Sequence, residues 1–186
     1  MKTENRAGRI STILLATGLL AGVAACASNA DPTAMTVTTG PAATAVPFPQ
    51  KFQHSMCVRA VTGGEETNPM WASKVNDAGF KTALDGSLNG AGLSAGASGC
   101  VYPIDANLLG LSQPSIGFDM TVTSHVNYKV YDGSGQPVVL ATVDAPFTAK
   151  VSDAFIGVQR LQMANEGSIR ESIKQFFDKL RTASPK

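Results

Sequence analysis

The sequence predicts an α+β domain in which two helices cover one face of a four-stranded sheet. Two segments in the second half of the chain alternate apolar and polar residues, and two other segments repeat apolar residues at helical spacing. The predicted order is strand, helix, strand, strand, strand, helix. Each strand has one apolar face and each helix one apolar stripe, so both helices are expected on the same side of the sheet. The other sheet face is expected to be polar.

The first three elements are predicted as strand, helix and strand. Residues 53–61 form the first strand, and a run of turn residues follows it. The helix is expected to begin between Asn68 and Asn76, because asparagine is a favourable N-cap. Its apolar stripe consists of Phe80, Ala83, Leu84 and Leu88. The second strand begins at Tyr102, where apolar and polar residues start to alternate. Residues 112–115 contain a proline and are predicted to form the loop after it.

The last three elements are predicted as a hairpin and a long helix. Residues 118–131 and 137–151 alternate over their whole length, and a glycine-containing turn separates them, which is typical of a β-hairpin. The final helix is expected to be capped by Ser152 or Asp153. Gly167 lies in the middle of this helix and indicates close packing or a bend.

Charge pairing favours one register for the hairpin. If paired residue numbers sum to 269, His125 lies opposite Asp144, and Asp119 lies opposite Lys150. A turn that is tighter by two residues keeps the same faces but loses both charge pairs. Because opposite charges across strands stabilise a sheet, the first register is preferred.

The amino-terminal segment has the charge order of a secretory signal peptide. Residues 1–9 carry three basic side chains and one acidic side chain, and residues 10–25 carry no charge. The run ends in Val-Ala-Ala before Cys26, which resembles the lipobox of bacterial lipoproteins. The resemblance implies that diacylglycerol is attached to Cys26, that cleavage occurs before it, and that membrane anchoring follows. The alternative is ordinary cleavage with Cys26 as a plain thiol.

The residues after Cys26 bear on the choice of membrane. Ala27 and Ser28 stand where enteric members of the lipoprotein class that remain in the inner membrane have an aspartate. This resemblance favours the outer membrane, on its periplasmic face.

The chain is predicted to divide into a signal peptide over 1–25, a flexible tether over 26–47 and one domain over 48–184. Residues 27–47 contain one charged residue, three prolines and no periodic apolar pattern, which is typical of a linker. Such a linker spans on the order of 25 Å on average. Removal of residues 1–25 leaves 12 basic and 13 acidic side chains, a net charge of −1. This balance argues against nucleic acid as a partner.

The two remaining cysteines are predicted to form a disulfide. Cys57 and Cys100 are an even pair in a chain directed to an oxidising compartment. The alternatives are two buried thiols, or a metal site that also uses one of the two histidines. No CxxC or HxxxH spacing favours a metal, and no metal or other cofactor is predicted.

The polar face of the sheet is the candidate binding surface. Its candidate residues are Thr121, Thr123, His125, Asn127, Lys129 and Asp144. Their side chains offer hydrogen-bond donors and acceptors at regular spacing to a glycan, a lipid headgroup or a protein. The competing interpretation is a face that only contacts water.

A catalytic role has less support in the sequence. Ser124 and His125 are neighbours on one strand and point to opposite faces, so they do not form a nucleophile and base pair. The motifs GxSxG, HExxH and the P-loop do not occur. The alternative function is a periplasmic hydrolase or transferase that uses His125 and Asp144.

The element order together with the lipobox resembles the LptE-like lipoproteins of lipopolysaccharide assembly and the auxiliary lipoproteins of lipid-transporting ABC systems. Residues 80–88 and 160–170 are also similar to stretches of uncharacterised proteobacterial lipoproteins. The resemblance implies a non-enzymatic binding or assembly role in the cell envelope. The implied partner is an envelope protein or a glycolipid, and no ligand-contacting residue is transferred.

Overall fold

The structure, a computed structural model, describes residues 27–38, 46–68, 72–96 and 99–183. The elements within these ranges are α1 (Pro32–Met35), a 3₁₀ turn (Gln50–Phe52), β1 (Met56–Thr62), α2 (Asp77–Gly90), β2 (Tyr102–Ser112), β3 (Met120–Tyr131), β4 (Pro137–Ala149) and α3 (Gly157–Thr182).

The four strands form one mixed sheet in the order β1-β2-β3-β4. β1 and β2 are parallel, and the other two pairs are antiparallel. The parallel pair requires a crossover connection, and α2 provides it. α2 and α3 contribute to one core beneath the same sheet face, which confirms the predicted fold class.

The centre of the core is an aromatic cluster between β3, α2 and α3. The ring of Tyr128 stacks on Phe176 with centroids 4.2 Å apart, and Phe80 meets the same tyrosine edge-on. The Tyr128 hydroxyl lies 2.9 Å from the hydroxyl of Ser172, so its polar atom has a partner. Burial raises the pKa of Tyr128 well above its ordinary value.

α2 begins where the capping rule places it. The Asn76 side chain accepts a hydrogen bond from the Gly79 amide at 2.8 Å, and the helix runs from the next residue. All four residues of the predicted apolar stripe are buried.

The hairpin has the predicted register. His125 lies opposite Asp144, and Val126 lies opposite Val143. The predicted pair of Asp119 and Lys150 does not form, because the Asp119 carboxylate accepts the Val151 amide at 3.0 Å.

α3 begins later than predicted, and neither Ser152 nor Asp153 caps it. The Asp153 carboxylate accepts the amide of Lys150 at 2.8 Å, so it closes a turn after β4. The N-cap position is Ile156, which makes no side-chain capping bond. Residues 154–156 are therefore irregular chain rather than the first residues of the helix.

Gly167 marks close packing, one of the two predicted possibilities. The Phe147 ring of β4 lies directly against its Cα, and a Cβ at this position would overlap the ring atoms. α3 therefore approaches β4 closely at this point.

The predicted flexible tether is wrong for residues 27–38, which pack against the domain. Ala27, Ala30 and Met35 are buried. The Asp31 amide donates to the Glu166 carboxylate at 2.8 Å, and the Ala30 amide donates to a carbonyl on the chain before α2. Because α1 is a single turn, it is too short for a periodic pattern to reveal it. Residues 39–45 and the lipidation candidate Cys26 lie outside the described residues.

The predicted disulfide is present between Cys57 and Cys100, with Cα atoms 5.6 Å apart. It joins β1 to the chain that enters β2. Within the described ranges, no cluster of three or more His, Cys, Asp or Glu side chains has the geometry to hold a metal ion. None of the described helices is long and apolar enough to cross a membrane.

Candidate functional site

The six predicted binding residues lie together on the sheet face that the helices leave uncovered. Along β3, buried residues alternate with partly or fully exposed ones, as the pleat requires. Thr121, Lys129 and Asp144 are exposed, and Thr123, His125 and Asn127 are partly exposed. The face also carries two exposed leucines, Leu109 and Leu140.

Cross-strand hydrogen bonds connect the polar side chains of β3 to those of β4. Thr121 and Thr148 have hydroxyl oxygens 2.8 Å apart. The Thr142 hydroxyl donates to the Asn127 side-chain oxygen at 2.8 Å. In both contacts the two residues lie directly opposite each other on β3 and β4. We call this row of cross-strand polar contacts the ladder.

His125 occupies the middle of the ladder and contacts two strands. Its Nδ1 lies 2.7 Å from the Asp144 carboxylate on β4, and its Nε2 lies 3.0 Å from the Ser112 hydroxyl on β2. A β-bulge between Leu108 and Gly110 shifts the register of β2 and places Ser112 diagonally across from His125. Serine, imidazole and carboxylate thus form one row.

Sequence reasoning missed Ser112 because it assigned this residue to the loop after β2. The strand continues through Ser112, with Gly110 at the bulge. A glycine within an alternating segment is the signal that could have indicated a bulge and an extended strand.

The row has the connectivity of a hydrolytic triad but differs from one in its surroundings. In such triads the carboxylate is buried and holds the imidazole in position. Here the Asp144 side chain is 64% exposed and the His125 side chain 36%. Water competes for both groups, which weakens the orientation of the imidazole.

An ion pair between β1 and β2 lies on the same face. The Arg59 guanidinium of β1 donates two hydrogen bonds to the Asp105 carboxylate of β2, at 2.8 and 2.5 Å. The guanidinium carbon also lies 4.4 Å from the centre of the Tyr131 ring. The hydrogen bonds from Arg59 hold the pKa of Asp105 below its ordinary value, and the same pair raises the pKa of Arg59.

A shallow cavity of about 150 Å³ adjoins this ion pair on the same face. Two of the predicted residues, Asn127 and Lys129, line it together with Asp105, Asn107 and Tyr131. Amide, ammonium and carboxylate groups in one depression provide both donors and acceptors. The cavity therefore suits a ligand that is rich in hydroxyl or amide groups.

A larger open groove of about 780 Å³ lies where β4 begins and α3 ends. It is flanked by Lys51 and Lys179 and includes Val138 and Leu140. The sequence analysis did not identify this groove, because its residues come from four separate parts of the chain.

Comparison with known proteins gives structural likeness only. No protein-family model matches the chain, and no curated protein matches it. A protein of Caulobacter crescentus CB15 that is described as a candidate lipoprotein is 15% identical, with a TM-score of 0.46; the match covers 69% of this chain and 89% of that one.

Two further solved structures have comparable similarity. The hypothetical protein CT253 of Chlamydia trachomatis is 11% identical with a TM-score of 0.48, over 70% of this chain and 97% of that one. Protein XCC0632 of Xanthomonas campestris, assigned to the family DUF330, is 11% identical with a TM-score of 0.43, over 83% and 90%. None of the three is described as a lipopolysaccharide-assembly lipoprotein, and at this similarity none supports a function for this chain.

Proposed function

We propose that this protein is a lipid-anchored, non-enzymatic lipoprotein of the bacterial outer membrane, and that its polar sheet face binds an envelope protein or a glycolipid. The observation that carries the proposal is the Val-Ala-Ala-Cys sequence at 23–26, whose first three residues end the uncharged run over 10–25. The acyl chains of a lipidated Cys26 supply enough apolar surface for stable anchoring.

Two features of the folded domain support an envelope location. The Cys57–Cys100 disulfide is typical of an oxidising compartment such as the periplasm. Cleavage before Cys26 leaves a chain with a net charge of −1. This charge provides little attraction to anionic lipid. Anchoring by acyl chains is consistent with both features.

The binding role is supported by the polar face itself. Asn127 and Lys129 line the 150 Å³ cavity, and the Arg59–Asp105 pair borders it with both groups fixed by hydrogen bonds. Fixed donors and acceptors lose little conformational freedom when a ligand binds.

Lipidation is tested by feeding labelled palmitate to a proteobacterial host that produces the full chain. We expect label in the wild-type protein and none in the Cys26→Ser variant, because the acyl chains attach at this thiol. The double variant Cys57→Ser/Cys100→Ser is the matched control and should retain the label. Equal labelling of the Cys26→Ser variant and the wild type would contradict the proposal.

Binding by the polar face is tested with a photo-crosslinking amino acid placed at Asn127, in intact cells. The matched control carries the same group at Lys174, an exposed residue on α3. We expect one recurrent envelope protein or glycolipid to be attached only at position 127. Identical products at both positions, or none at position 127, would favour a face that only contacts water.

The second candidate function is a periplasmic hydrolase or transferase, and the Ser112 hydroxyl at 3.0 Å from His125 is the observation that favours it. In that case Ser112 is the nucleophile, His125 the base and Asp144 the residue that orients it. A fluorophosphonate probe should then label the wild-type protein and neither Ser112→Ala nor His125→Ala. Absence of labelling in the wild type would leave the non-enzymatic proposal standing.

A further inference from the structure

Three large apolar side chains project into solvent in two loops. Ile116 and Phe118 precede β3 and are 89% and 86% exposed, and Phe155 precedes α3 and is 91% exposed. These are the most exposed large hydrophobic residues in the described part of the chain. Isolated exposed apolar residues are ordinary, but aromatic residues this exposed in neighbouring loops indicate an interaction site.

Both loops lie at the same end of the sheet. Met120 at the start of β3 pairs with Ala149 at the end of β4. The Asp119 carboxylate accepts the amide of Val151, so the two loops are joined by a direct hydrogen bond of 3.0 Å. We call this end, defined by Ile116, Phe118 and Phe155, the apolar end.

The first described residues of the chain are held at the apolar end. The Ser28 hydroxyl donates to Gln162 of α3 at 2.8 Å, and Gln162 is only five residues, about 8 Å along the axis, from the start of the helix. The Ser28 carbonyl accepts the Ser73 hydroxyl at 2.8 Å, and the Ser73 carbonyl accepts the Gln113 side chain at 3.0 Å. Gln113 begins the loop that carries the exposed isoleucine and phenylalanine.

The sequence places the lipidation candidate next to this part of the domain. Cys26 directly precedes Ala27. Ala27 is buried against the domain. A lipid on Cys26 therefore leaves the domain surface without an intervening linker.

The charges at the apolar end favour an apolar partner. The Asp119 and Asp153 carboxylates are both occupied by backbone amides of the two loops. Lys150 is the single basic residue among residues 113–119 and 150–156. Aromatic side chains without a basic cluster suit the boundary between lipid headgroups and acyl chains.

We propose that the apolar end inserts Ile116, Phe118 and Phe155 into the lipid bilayer that holds the acyl chains of Cys26. The inference rests on the proposed lipidation and adds an orientation to it. The strands then point away from the bilayer, and the polar face is presented sideways to the periplasm. The exposed aromatic residues and the lipid act as two attachments of one end of the molecule.

The test uses the full-length protein reconstituted in phosphatidylethanolamine and phosphatidylglycerol vesicles with brominated acyl chains. The single tryptophan is replaced (Trp71→Phe), and a new one is introduced by Phe155→Trp. The matched control is Leu140→Trp, at an exposed site nine residues, about 30 Å, along β4 from Ala149. Circular dichroism is used to check that both variants fold.

We expect the tryptophan at 155 to shift to shorter wavelength and to lose at least about half of its fluorescence to the brominated lipid, because it lies among the acyl chains. The tryptophan at 140 should remain unquenched. If the tryptophan at 155 fluoresces equally in brominated and unbrominated vesicles, as the tryptophan at 140 should, insertion of the apolar end is overturned.

The intact mass of the same protein separates the two proposals. A lipidated protein with an unquenched tryptophan at 155 overturns the insertion and leaves lipidation intact. An unlipidated protein that is still quenched at 155 when added to the vesicles supports insertion and overturns lipidation. An unlipidated protein without quenching overturns both.

Discussion

Gly167 controls how closely α3 approaches the sheet. The Phe147 ring fills the space that a side chain would need, so Gly167→Ala forces the ring or the helix to move. Alanine in a helix interior normally gains up to about 1 kcal/mol over glycine. Here overpacking should reverse that gain and lower the free energy of unfolding by about 1–3 kcal/mol. Urea unfolding measures the change.

The matched control for this prediction lies on the same helix. A Cβ at Gly157 would meet its nearest neighbours at 3.7 and 3.8 Å, which is ordinary contact. Gly157→Ala should therefore leave stability nearly unchanged or raise it slightly. Phe147→Leu in the Gly167→Ala background should recover part of the loss. Equal effects of the two glycine substitutions would show that ring contact does not limit the helix position.

The Arg59–Asp105 pair should make stability depend on pH in the acid range. Because Arg59 lowers the pKa of Asp105 in the folded protein, the unfolded chain binds a proton first as pH falls. The stabilisation is thus present above the unfolded pKa of about 3.9 and is lost as pH falls through the lower folded value. Arg59→Gln should reduce the urea midpoint at pH 7 and have little effect near pH 2.

The control for the pH prediction is Lys174→Gln, which removes an exposed ion pair within α3. Exposed pairs contribute little, so this variant should follow the wild type across the range. A difference between Arg59→Gln and the wild type that stays constant from pH 7 to pH 2 would contradict the assigned cause.

At the scale of elements, the sequence predicted the strands and helices that bury one face, because one-sided burial requires a periodic apolar pattern. A strand with one buried face must alternate, and α2 must repeat at helical spacing, so these elements and the hairpin register could be inferred. The polar face followed as the other side of the same alternation. Its residues were therefore identified before their neighbours were known.

The remaining features depend on contacts that periodicity does not encode. The bulge before Ser112 extends β2 and creates the contact with His125. The Arg59–Asp105 contact follows a similar shift in β1, between Val58 and Ala60. A bulge breaks the period of two, so a pattern based on that period ends the strand too early.

The amino-terminal segment is the element that sequence analysis misjudged, and its attachment is testable. Glu166 of α3 is buried and accepts the Asp31 amide at 2.8 Å. Glu166→Ala should leave this amide unpaired and release the segment over 27–38, while the sheet stays folded. Amide hydrogen exchange at Ala30 and Asp31 should become faster, and exchange within β3 should not.

Glu171→Ala is the matched control, because Glu171 lies on the same helix and its ion-pair partner is Lys174 rather than the amino-terminal segment. It should leave exchange at Ala30 and Asp31 unchanged. If both variants increase exchange equally, general loosening of α3 explains the effect. If neither does, the other hydrogen bonds and the buried apolar residues of the segment hold it without this contact.

At the scale of the whole molecule, the fold separates three surfaces. The apolar end lies beside the first described residues, the polar face runs along the sheet, and the groove flanked by Lys51 and Lys179 lies where β4 begins. Packing of residues 27–38 links the first of these surfaces to the rest of the domain. Residues 27–38 are therefore part of the packed domain rather than a linker.

The disulfide should set the stability of the whole domain, because β1 is an edge strand with β2 as its single strand neighbour in the described sheet. The bridge spans 43 residues that include α2, and in the chain-entropy model a loop of this length stabilises by about 4 kcal/mol. Reduction should lower the free energy of unfolding by about this amount and lower the urea midpoint with it. The near-ultraviolet spectrum of the aromatic cluster should persist at urea concentrations below the new midpoint. Cys26→Ser should respond to reductant as the wild type does. An unchanged midpoint in protein shown by mass to contain free thiols at Cys57 and Cys100 would mean that pairing with β2 and packing of α2 hold β1 in the sheet without the bridge.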